Sequence, residues 1–323
     1  MNINFIVEDF GAFKYLGCAT AAKNLYKSLS KKVDIKWNEK STNFDIAHFH
    51  TFGPKSLLYA RKFRGKKIIT AHSTPNLNRG NVAFLPLVNL FYRPIYKKFD
   101  HIISVSNKCK REIIKEMKIK VDVKTIYNGI DTKKFKPDMK KRNRFRETIG
   151  AKKNDIVVLT VAQRTPRKGI YDFLELAKKN SQLKFLWIGE FPYKFFSKDY
   201  FKISKIIKNK GNNTVFPGFI KDIREAYSAA DVFFMPSYAE GHSIVMLESL
   251  SMGLPMIARD NEEFREAFGD NLIYFKNVNQ IDESFFDKKL LRAFKKKADI
   301  VKKYDIEKIS NEHIRFYEDV LAN

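Results

Sequence analysis

Short apolar runs alternate with amphipathic stretches along all 323 residues of the chain. This alternation is typical of βαβ units, in which helices cover both faces of a parallel sheet. Each half of the chain contains six runs with the length and composition of buried strands. These predicted strands are residues 3–7, 33–36, 45–49, 67–71, 101–105, 123–126, 156–162, 184–189, 215–219, 232–236, 255–258 and 272–275. We therefore predict an α/β fold in which each half builds its own doubly wound sheet.

Two domains are expected from the length, because a single hydrophobic core rarely serves more than about 250–300 residues. Between the two sets of strands, residues 133–153 are dense in charge and contain Pro137, which indicates a linker leading into a short helix. We place the first domain at residues 1–145 and the second at 146–305. Residues 306–323 carry apolar positions at helical spacing and are predicted to form a closing helix that packs back on the first domain.

The net charge of +25 is distributed unevenly. Residues 1–150 contain 32 Lys and Arg against 12 Asp and Glu, whereas residues 151–323 contain 29 against 24. A lysine-rich composition explains part of the total but not the asymmetry. A strongly basic half indicates attraction to a polyanion, either nucleic acid or an anionic membrane surface, where each cation near the surface contributes about 1 kcal/mol.

Nothing in the sequence suggests a metal site, a disulfide framework or a membrane span. Cys18 and Cys109 lie far apart without metal-ligand spacing, and no Asp-x-Asp occurs. The most apolar long segment, residues 82–92, is interrupted by Pro86 and Asn89 and is shorter than the ~20 residues that cross a bilayer. The first residues lack the features of a secretory signal, so a cytoplasmic location is expected.

One strand-to-helix junction carries the strongest chemical signal. Residues 235–248 follow a predicted strand and open a helix, and the free N–H groups at a helix N-terminus favour phosphate. Gly241 and Ser243 are small enough for a ligand to approach the backbone. Glu240 lies just before the helix, where a carboxylate can accept hydrogen bonds from sugar hydroxyls. Glu248 lies among apolar residues, so its carboxylate is expected to be ligand-bound or paired.

The same region resembles the signature of the retaining family 4 glycosyltransferases, which have the GT-B fold. The resemblance rests on Glu240, seven residues, Glu248 and then Gly253-Leu254-Pro255. Other segments agree in order, namely residues 17–20, 44–50, 70–72, 103–106, 126–131, 161–169 and 187–190. It implies two Rossmann-like domains that face each other across a cleft. It also implies an enzyme that uses a nucleotide sugar as co-substrate and needs no cofactor or metal.

The resemblance assigns most donor-binding positions to the second domain. Glu240 corresponds to the carboxylate that holds the donor hexose, and Glu248 to the one that binds the nucleotide ribose. The backbone around the start of the helix would contact the diphosphate, at Gly241, His242, Ser243 and Ile244.

Lys168 corresponds to the family lysine that neutralises the leaving diphosphate, a charge that a fixed cation stabilises. Gln163 stands where relatives carry a partner arginine, and either Arg164 or Arg167 is expected to substitute. His72 corresponds to a histidine close to the reacting sugar. The family's reaction implies front-side attack with the leaving phosphate assisting deprotonation of the acceptor, so we assign no general base.

Four further positions are implied in donor binding. Gly17 would let the first loop approach the donor phosphate or the acceptor, and Gly189 belongs to the matching segment 187–190. Phe219 and Ile220 lie where backbone groups of such folds hold the nucleotide base.

A closer similarity, in residues 163–169 and around Asp260, is to bacterial glycosyltransferases that add a second hexose to glucosyl-diacylglycerol. Residues 82–99 combine apolar and basic side chains, as interfacial membrane segments do. A core helix with a basic outer face explains this segment equally well. The residues predicted to contact the membrane or the acceptor are Phe91, Tyr92, Arg93, Lys97 and Lys98. We expect a UDP-glucose or UDP-galactose donor, a lipid-linked acceptor, and peripheral association with the anionic inner face of the cell membrane.

Other functions remain open on the sequence. A transferase for a polysaccharide or a lipid-carrier-linked oligosaccharide would share the same motifs. A sugar-nucleotide epimerase would need no acceptor. A nucleic-acid-binding protein would explain the charge but not the glutamate pair, and the chain lacks a basic and aromatic recognition motif, so no nucleic-acid partner is expected.

Overall fold

All twelve predicted strands form, and they build two six-stranded sheets in which every pair of neighbours is parallel. The structure is a computed structural model that describes residues 1–9, 17–50, 52–72, 74–77 and 85–322, without the side chains of residues 85–88. The predicted α/β class with two doubly wound sheets is therefore confirmed.

The first sheet lies in the first half of the chain. Its strands are β1 (Asn2–Ile6), β2 (Asp34–Trp37), β3 (Ile46–Phe49), β4 (Lys66–Ala71), β5 (His101–Ser104) and β6 (Asp122–Thr125). Their spatial order is β2-β1-β3-β4-β5-β6. The helices of this half are α1 (Gly17–Leu29), α2 (Pro54–Lys62), α3 (Leu85–Tyr96) and α4 (Asn107–Arg111).

The second sheet repeats this plan. Its strands are β7 (Val157–Val161), β8 (Lys184–Ile188), β9 (Thr214–Gly218), β10 (Val232–Met235), β11 (Met256–Arg259) and β12 (Ile273–Phe275), in the spatial order β12-β11-β10-β7-β8-β9. The helices that follow the first sheet are α5 (Met139–Thr148), α6 (Ile170–Lys179), α7 (Tyr200–Lys208), α8 (Ile223–Ala229), α9 (Ile244–Ser251), α10 (Glu262–Phe268), α11 (Lys288–Lys296) and α12 (Ile306–Ala322).

The inner strands of each sheet are mostly apolar on both faces because helices cover both faces of the sheet. In β7, Val157 and Leu159 pack in one core while Val158 packs in the core on the opposite face. All three side chains are fully buried. Such a strand has no polar face, which is why it appears in the sequence as a continuous apolar run rather than an alternating one.

Each sheet has one point where the winding reverses, between β1 and β3 in the first and between β7 and β10 in the second. The loops that leave such a pair of strands diverge to opposite faces and open a crevice beyond the carboxyl ends. In the second sheet these loops are residues 162–169 and 236–243. The topology alone therefore brings the segment of Lys168 next to the segment of Glu240.

Helix α5 belongs with the second sheet, although it begins before the predicted domain boundary at residues 145 and 146. Arg142 donates to the carbonyls of residues 228–230 at 2.9 to 3.1 Å. Arg146 is buried and pairs with Asp231 at 3.1 Å. The chain therefore passes between the sheets ahead of α5, and the domain boundary lies before this helix rather than within it.

The last helix, α12, packs on the first sheet beside α1. Glu307 accepts a hydrogen bond from the Ser28 hydroxyl at 3.0 Å and forms an ion pair with Lys32 at 2.8 Å. Phe316 and Tyr317 are buried in the same core as β1 and β3. The chain thus crosses from the second domain back to the first at its end.

His48 of β3 connects this helix to the sheet. Its Nδ1 lies 2.7 Å from the Tyr317 hydroxyl and its Nε2 lies 2.7 Å from the Thr70 hydroxyl. Burial, with the neighbouring His313 and His72, lowers the pKa of His48 well below its ordinary value, so the ring is neutral. One ring nitrogen donates and the other accepts, and both are satisfied without water.

We predict that Tyr317→Phe destabilises the protein by about 1–3 kcal/mol, because it leaves one His48 nitrogen buried without a partner. Urea denaturation followed by circular dichroism measures the change. Glu318→Gln, an exposed substitution on the same helix, serves as the control and should stay within about 0.5 kcal/mol of the unsubstituted protein. Equal midpoints for the two variants would contradict the role of the hydrogen bond.

Candidate active site

The site lies beyond the carboxyl ends of β7 and β10, where two loops pack directly on each other. Gly169, with φ of +75°, is the point of closest approach. A Cβ atom there would lie 2.5 Å from the carbonyl oxygen of Pro236, so only glycine fits. The tight packing of the two loops fixes Lys168, one residue earlier, opposite Glu240.

Glu240 is a buried carboxylate surrounded by cations and donors. Lys168 Nζ lies 2.5 Å from its Oε1, the Ser237 hydroxyl donates to the same oxygen at 2.6 Å, and Arg167 lies 3.9 Å from its Oε2. Burial raises the pKa of Glu240, but Lys168 and Arg167 outweigh it and hold that pKa below its ordinary value. Burial and Arg167 lower the pKa of Lys168 to about 8.

These three side chains together carry one net positive charge at neutral pH. That charge lies beside the first turn of α9, whose N-cap is Ser243 and whose first residue is the buried Ile244. A positive cluster next to free helix N–H groups suits an anion such as a diphosphate.

The structure separates the two arginines that the sequence left equivalent. Arg167 donates to the carbonyl of Ala239 at 2.5 Å and joins the Lys168 and Glu240 cluster. Arg164 points toward the end of β8, where it pairs with Glu190 at 2.9 Å. Its guanidinium also lies over the Phe216 ring at 5.3 Å. Arg167 is therefore the arginine in a position to assist Lys168.

Glu248 is buried one turn into α9 and is paired, as expected. Its Oε2 accepts a hydrogen bond from the Tyr227 hydroxyl of α8 at 2.8 Å. Burial raises the pKa of Glu248 to about 7, against which Tyr227 and the charge of Lys134 act only in part. The carboxyl group is therefore close to half ionised at neutral pH.

The side chain of His242 takes part in the contact between the domains. The Asn128 backbone donates to its Nδ1 at 3.1 Å, and the Asn128 side chain donates to its carbonyl oxygen at 2.7 Å. Its ring packs against Tyr127 and Tyr304 at centroid distances of 5.1 and 4.7 Å. Burial, with the charge of Lys303, lowers the pKa of His242 to about 3. Its backbone remains at the start of α9.

Gly241 brings the second domain into contact with His72 of the first. A Cβ atom at Gly241 would lie 2.9 Å from Val105 and 3.4 Å from the carbonyl oxygen of His72. Burial, and to a smaller degree His313, lowers the pKa of His72 to about 4, so the ring is neutral. Its Nε2 lies 3.4 Å from Nδ1 of His50. No group of three His, Cys, Asp or Glu side chains in the described part of the chain is arranged to hold a metal ion.

The remaining predicted donor positions lie around this cluster. Gly189 has φ of +125°, and a Cβ atom there would lie 2.2 Å from the carbonyl oxygen of Ala162, so its glycine serves the packing of the strand ends. Phe219 is 59% exposed just after β9, and Ile220 packs on the core. Gly17 is the exposed first residue of α1, and a Cβ atom there would meet no atom of the described residues within 4 Å.

Four of the five predicted membrane or acceptor residues lie on the surface of α3 or just after it. Phe91 is 56% exposed, and Arg93, Lys97 and Lys98 are exposed as well. The prediction for Tyr92 is wrong. Tyr92 is 2% exposed, because one face of α3 belongs to the core. Its ring packs against the Phe52 ring with their centroids 5.0 Å apart. No helix among the described residues is long and apolar enough to cross a membrane.

Two known family models match the chain, one over each domain. Residues 141–304 match the family model described as glycosyl transferases group 1. The chain belongs to this family. Residues 18–134 match the model of glycosyltransferase family 4. The protein is therefore a glycosyltransferase, as the Glu240 and Glu248 motif predicted.

Individual relatives agree over most of this glycosyltransferase. Alpha-galactosylglucosyldiacylglycerol synthase of Streptococcus pneumoniae is 27% identical over 292 residues, which are 86% of this chain and 78% of the relative. Processive diacylglycerol alpha-glucosyltransferase of Acholeplasma laidlawii is 29% identical over 291 residues, 86% of each chain. The crystal structure of Anabaena HepE in complex with UDP-glucose superposes with a TM-score of 0.81 at 18% identity, over 99% of this chain and 100% of that one. This likeness confirms the GT-B fold.

Several residues that build the site were not predicted from the sequence. Ser237 lies in the same loop as Glu240, so its spacing of three residues was an available signal. Tyr227 and Glu263, which accepts from the backbone N–H of Glu240 at 2.8 Å, come from other helices and carry no local signal. Asn128 belongs to a segment that matches the family, but its contact with His242 depends on how the domains meet.

We predict that Glu248→Gln stabilises the ligand-free glycosyltransferase above pH 7. In the folded protein Glu248 holds its proton up to about pH 7, whereas in the unfolded chain it ionises near its ordinary value of 4.5. The folded state of the unsubstituted protein therefore loses relative stability as the pH rises between these values, by up to roughly 3 kcal/mol. Glutamine keeps the hydrogen bond from Tyr227 and avoids this loss.

Thermal unfolding at pH 5 and pH 8 checks this prediction. Glu248→Gln should exceed the unfolding midpoint of the unsubstituted protein by much more at pH 8 than at pH 5. Glu147→Gln, an exposed substitution on α5, should change neither midpoint. A stabilisation by Glu248→Gln that is equal at both pH values would show that the ionisation of Glu248 is not its cause.

Proposed function

We propose that this glycosyltransferase moves a glucose or galactose unit from UDP to a lipid-linked acceptor, such as a glucosyl-diacylglycerol, at the cytoplasmic face of the cell membrane. The configuration at the anomeric carbon is retained. The observation that carries the donor side is the convergence of Lys168 and Arg167 on Glu240 beside the N-terminus of α9. The acceptor side draws on the two diacylglycerol-directed relatives and on the exposed surface of α3.

Each part of a UDP-hexose has a matching group in the second domain. The ribose hydroxyls can donate to the carboxylate of Glu248, whose pKa burial raises to about 7. The diphosphate suits the N–H groups of Gly241 and Ser243 and the cations of Lys168 and Arg167. The hexose hydroxyls can donate to Glu240, whose low pKa keeps it ionised as an acceptor.

The transfer step needs a cation more than it needs a base. The acceptor hydroxyl oxygen bonds to the anomeric carbon as the bond from that carbon to the diphosphate oxygen breaks. The hydroxyl proton passes to the departing phosphate, so UDP leaves without a separate general base. Negative charge grows on the phosphate in this step, and Lys168 is positioned to stabilise it. Attack on the face that the phosphate leaves gives retention.

His72 fits this scheme as a neutral hydrogen-bonding group. Its low pKa means that it carries no charge at neutral pH. Its backbone carbonyl oxygen lies against Gly241, so His72 is placed where the first domain meets the donor loop. A neutral imidazole there can bond a sugar hydroxyl without competing with Lys168 for the phosphate.

The exposed surface of α3 supports a membrane-associated acceptor. Leu90 and Phe91 are 70% and 56% exposed, and Arg93, Lys97 and Lys98 follow them within two turns. Exposed apolar side chains flanked by cations suit the boundary between lipid headgroups and acyl chains. The excess of positive charge in residues 1–150 acts in the same direction.

A donor panel tests the proposed reaction directly. Purified protein is incubated with UDP-glucose, UDP-galactose, UDP-N-acetylglucosamine or GDP-mannose and with glucosyl-diacylglycerol in anionic vesicles, and both UDP release and glycolipid product are measured. We expect a dihexosyl lipid from UDP-glucose or UDP-galactose. Lys168→Met should lower kcat by roughly 10²–10³, since it removes the cation at the leaving group. Arg164→Gln should cost far less, because Arg164 faces Glu190.

Three results would count against the proposal. Product only with a lipid-carrier-linked oligosaccharide would identify the alternative transferase. Conversion of the donor to an isomer without transfer would identify an epimerase. Unchanged kcat in Lys168→Met would remove the assigned role of that side chain.

We predict that Leu90→Ser combined with Phe91→Ser weakens binding to vesicles of anionic lipid by roughly tenfold or more, because two exposed apolar side chains no longer enter the interface. Co-sedimentation measures the affinity. Met139→Ser, which removes a side chain that is 65% exposed on α5, is the matched control and should bind normally. Equal loss in both variants, or no preference of the unsubstituted protein for anionic over neutral lipid, would contradict the proposed surface.

A further inference from the structure

Helix α10 of the second domain carries three acidic side chains that contact the first domain. Glu266 accepts hydrogen bonds from the backbone N–H groups of Asn107 and Lys108 at 2.7 and 3.1 Å. Glu263 pairs with the side chain of Lys108 at 2.9 Å. Glu262 pairs with Arg111. Three residues of α10 and three of α4 thus form a largely charged contact between the domains.

Glu263 differs from Glu262 and Glu266 because one of its carboxylate oxygens contacts the loop of Glu240. Its side chain is almost completely buried, and its Oε1 accepts from the backbone N–H of Glu240 at 2.8 Å. Its Oε2 accepts from Lys108. The carboxylate of Glu263 therefore links Lys108 of the first domain to the backbone of Glu240, whose side chain pairs with Lys168.

The loop that contains Glu240 touches the first domain at two further points. Gly241 lies against Val105 and the carbonyl oxygen of His72. His242 is held by Asn128. The backbone of residues 240–242 is therefore shaped by groups from both domains, and its conformation depends on how closely they meet.

We propose that Glu263 is a positioning residue that completes the donor-hexose site only when the cleft is closed. Lys108 neutralises Glu263 in the closed arrangement, and the buried carboxylate then holds the N–H of Glu240 and orients its side chain toward the hexose. Without Lys108, a buried and unpaired carboxylate is strongly unfavourable, so the contact with Glu240 is lost. Hexose binding and domain closure are thereby linked, and each favours the other. This inference rests on the proposed function of Glu240 in holding the hexose.

The pair of Arg111 and Glu262 provides a matched comparison. It joins the same two helices with the same charges, but its side chains are 44% and 59% exposed. The structure gives neither side chain a contact with the loop of Glu240. Removing Arg111 therefore weakens the contact between the domains without touching the donor loop.

Calorimetric binding of UDP and of the UDP-hexose selected by the donor panel tests the proposal. Lys108→Met and Glu263→Ala should weaken binding of the UDP-hexose by roughly tenfold or more and leave binding of UDP within about twofold. Glu263→Gln keeps an acceptor oxygen for Glu240 and should lie between the unsubstituted protein and Glu263→Ala. Arg111→Met removes only an exposed ion pair, so it should weaken binding of the UDP-hexose by less than about fivefold and leave binding of UDP unchanged.

A charge swap separates positioning from simple attachment of the domains. Lys108→Glu combined with Glu263→Lys restores an ion pair, but a lysine at position 263 cannot accept from the N–H of Glu240. We expect this double variant to recover the compaction on donor binding that small-angle X-ray scattering measures, and not the affinity for the hexose. Recovery of both would show that Glu263 only joins the domains.

The outcomes also separate this inference from the proposed function. If the unsubstituted protein binds the UDP-hexose no more tightly than UDP, the role of Glu240 fails and the inference fails with it. If the unsubstituted protein discriminates and Glu263→Ala discriminates equally well, the inference alone is overturned. Equal losses for UDP and UDP-hexose in Lys108→Met would likewise overturn it.

Discussion

The structure of the second domain's cleft depends on one constraint, namely that the buried carboxylate of Glu240 must be neutralised. Lys168, Arg167 and the Ser237 hydroxyl all converge on it. They can do so only because Gly169 lets the two loops pack at van der Waals distance. A buried ion pair is seldom the most stable choice for a core position, since apolar side chains of similar volume often serve stability as well or better. The arrangement is better explained by the chemistry that it prepares than by the stability it adds.

Other ionisable groups at the cleft also have pKa values far from their ordinary ones. Burial raises the pKa of Glu248 and lowers the pKa of both His72 and Lys168. Each shift marks a group whose charged form is destabilised in the ligand-free protein. Perturbed groups that cluster in one cleft are typical of functional sites, and a nucleotide sugar supplies the hydroxyls and phosphates that would relieve several of them together.

The sequence was sufficient wherever the determining contacts are local or follow from topology. Short apolar runs located all twelve strands, and the reversal of winding between β7 and β10 explains why Lys168 and Glu240 meet although 72 residues separate them. It was insufficient where partners come from different domains. Lys108, Asn128 and Glu263 occur in ordinary polar surroundings, and only the closed arrangement gives them a role.

The mistaken assignment of Tyr92 has a related cause. Apolar and basic residues follow one another so closely in α3 that composition could not decide which apolar side chains face the core. The helix resolves this by its period, since Tyr92, Ile95 and Tyr96 turn inward while Leu90 and Phe91 turn outward. Both interpretations of the segment are thus partly right, because one face belongs to the core and the other is free to meet a membrane.

The two domains carry different parts of the proposed site, so the contact between them is important for the proposed reaction. The groups suited to a nucleotide sugar lie in the second domain, whereas the basic and apolar surface suited to a lipid-linked acceptor lies in the first. In the proposed reaction the anomeric carbon and the acceptor hydroxyl must meet between the two domains. The loop of residues 240–242 lies at this contact, since it touches Val105, His72 and Asn128 and is linked through Glu263 to Lys108. A donor site that is complete only in the closed enzyme would hold the hexose firmly when the acceptor side is in place, and would limit its loss to water when it is not.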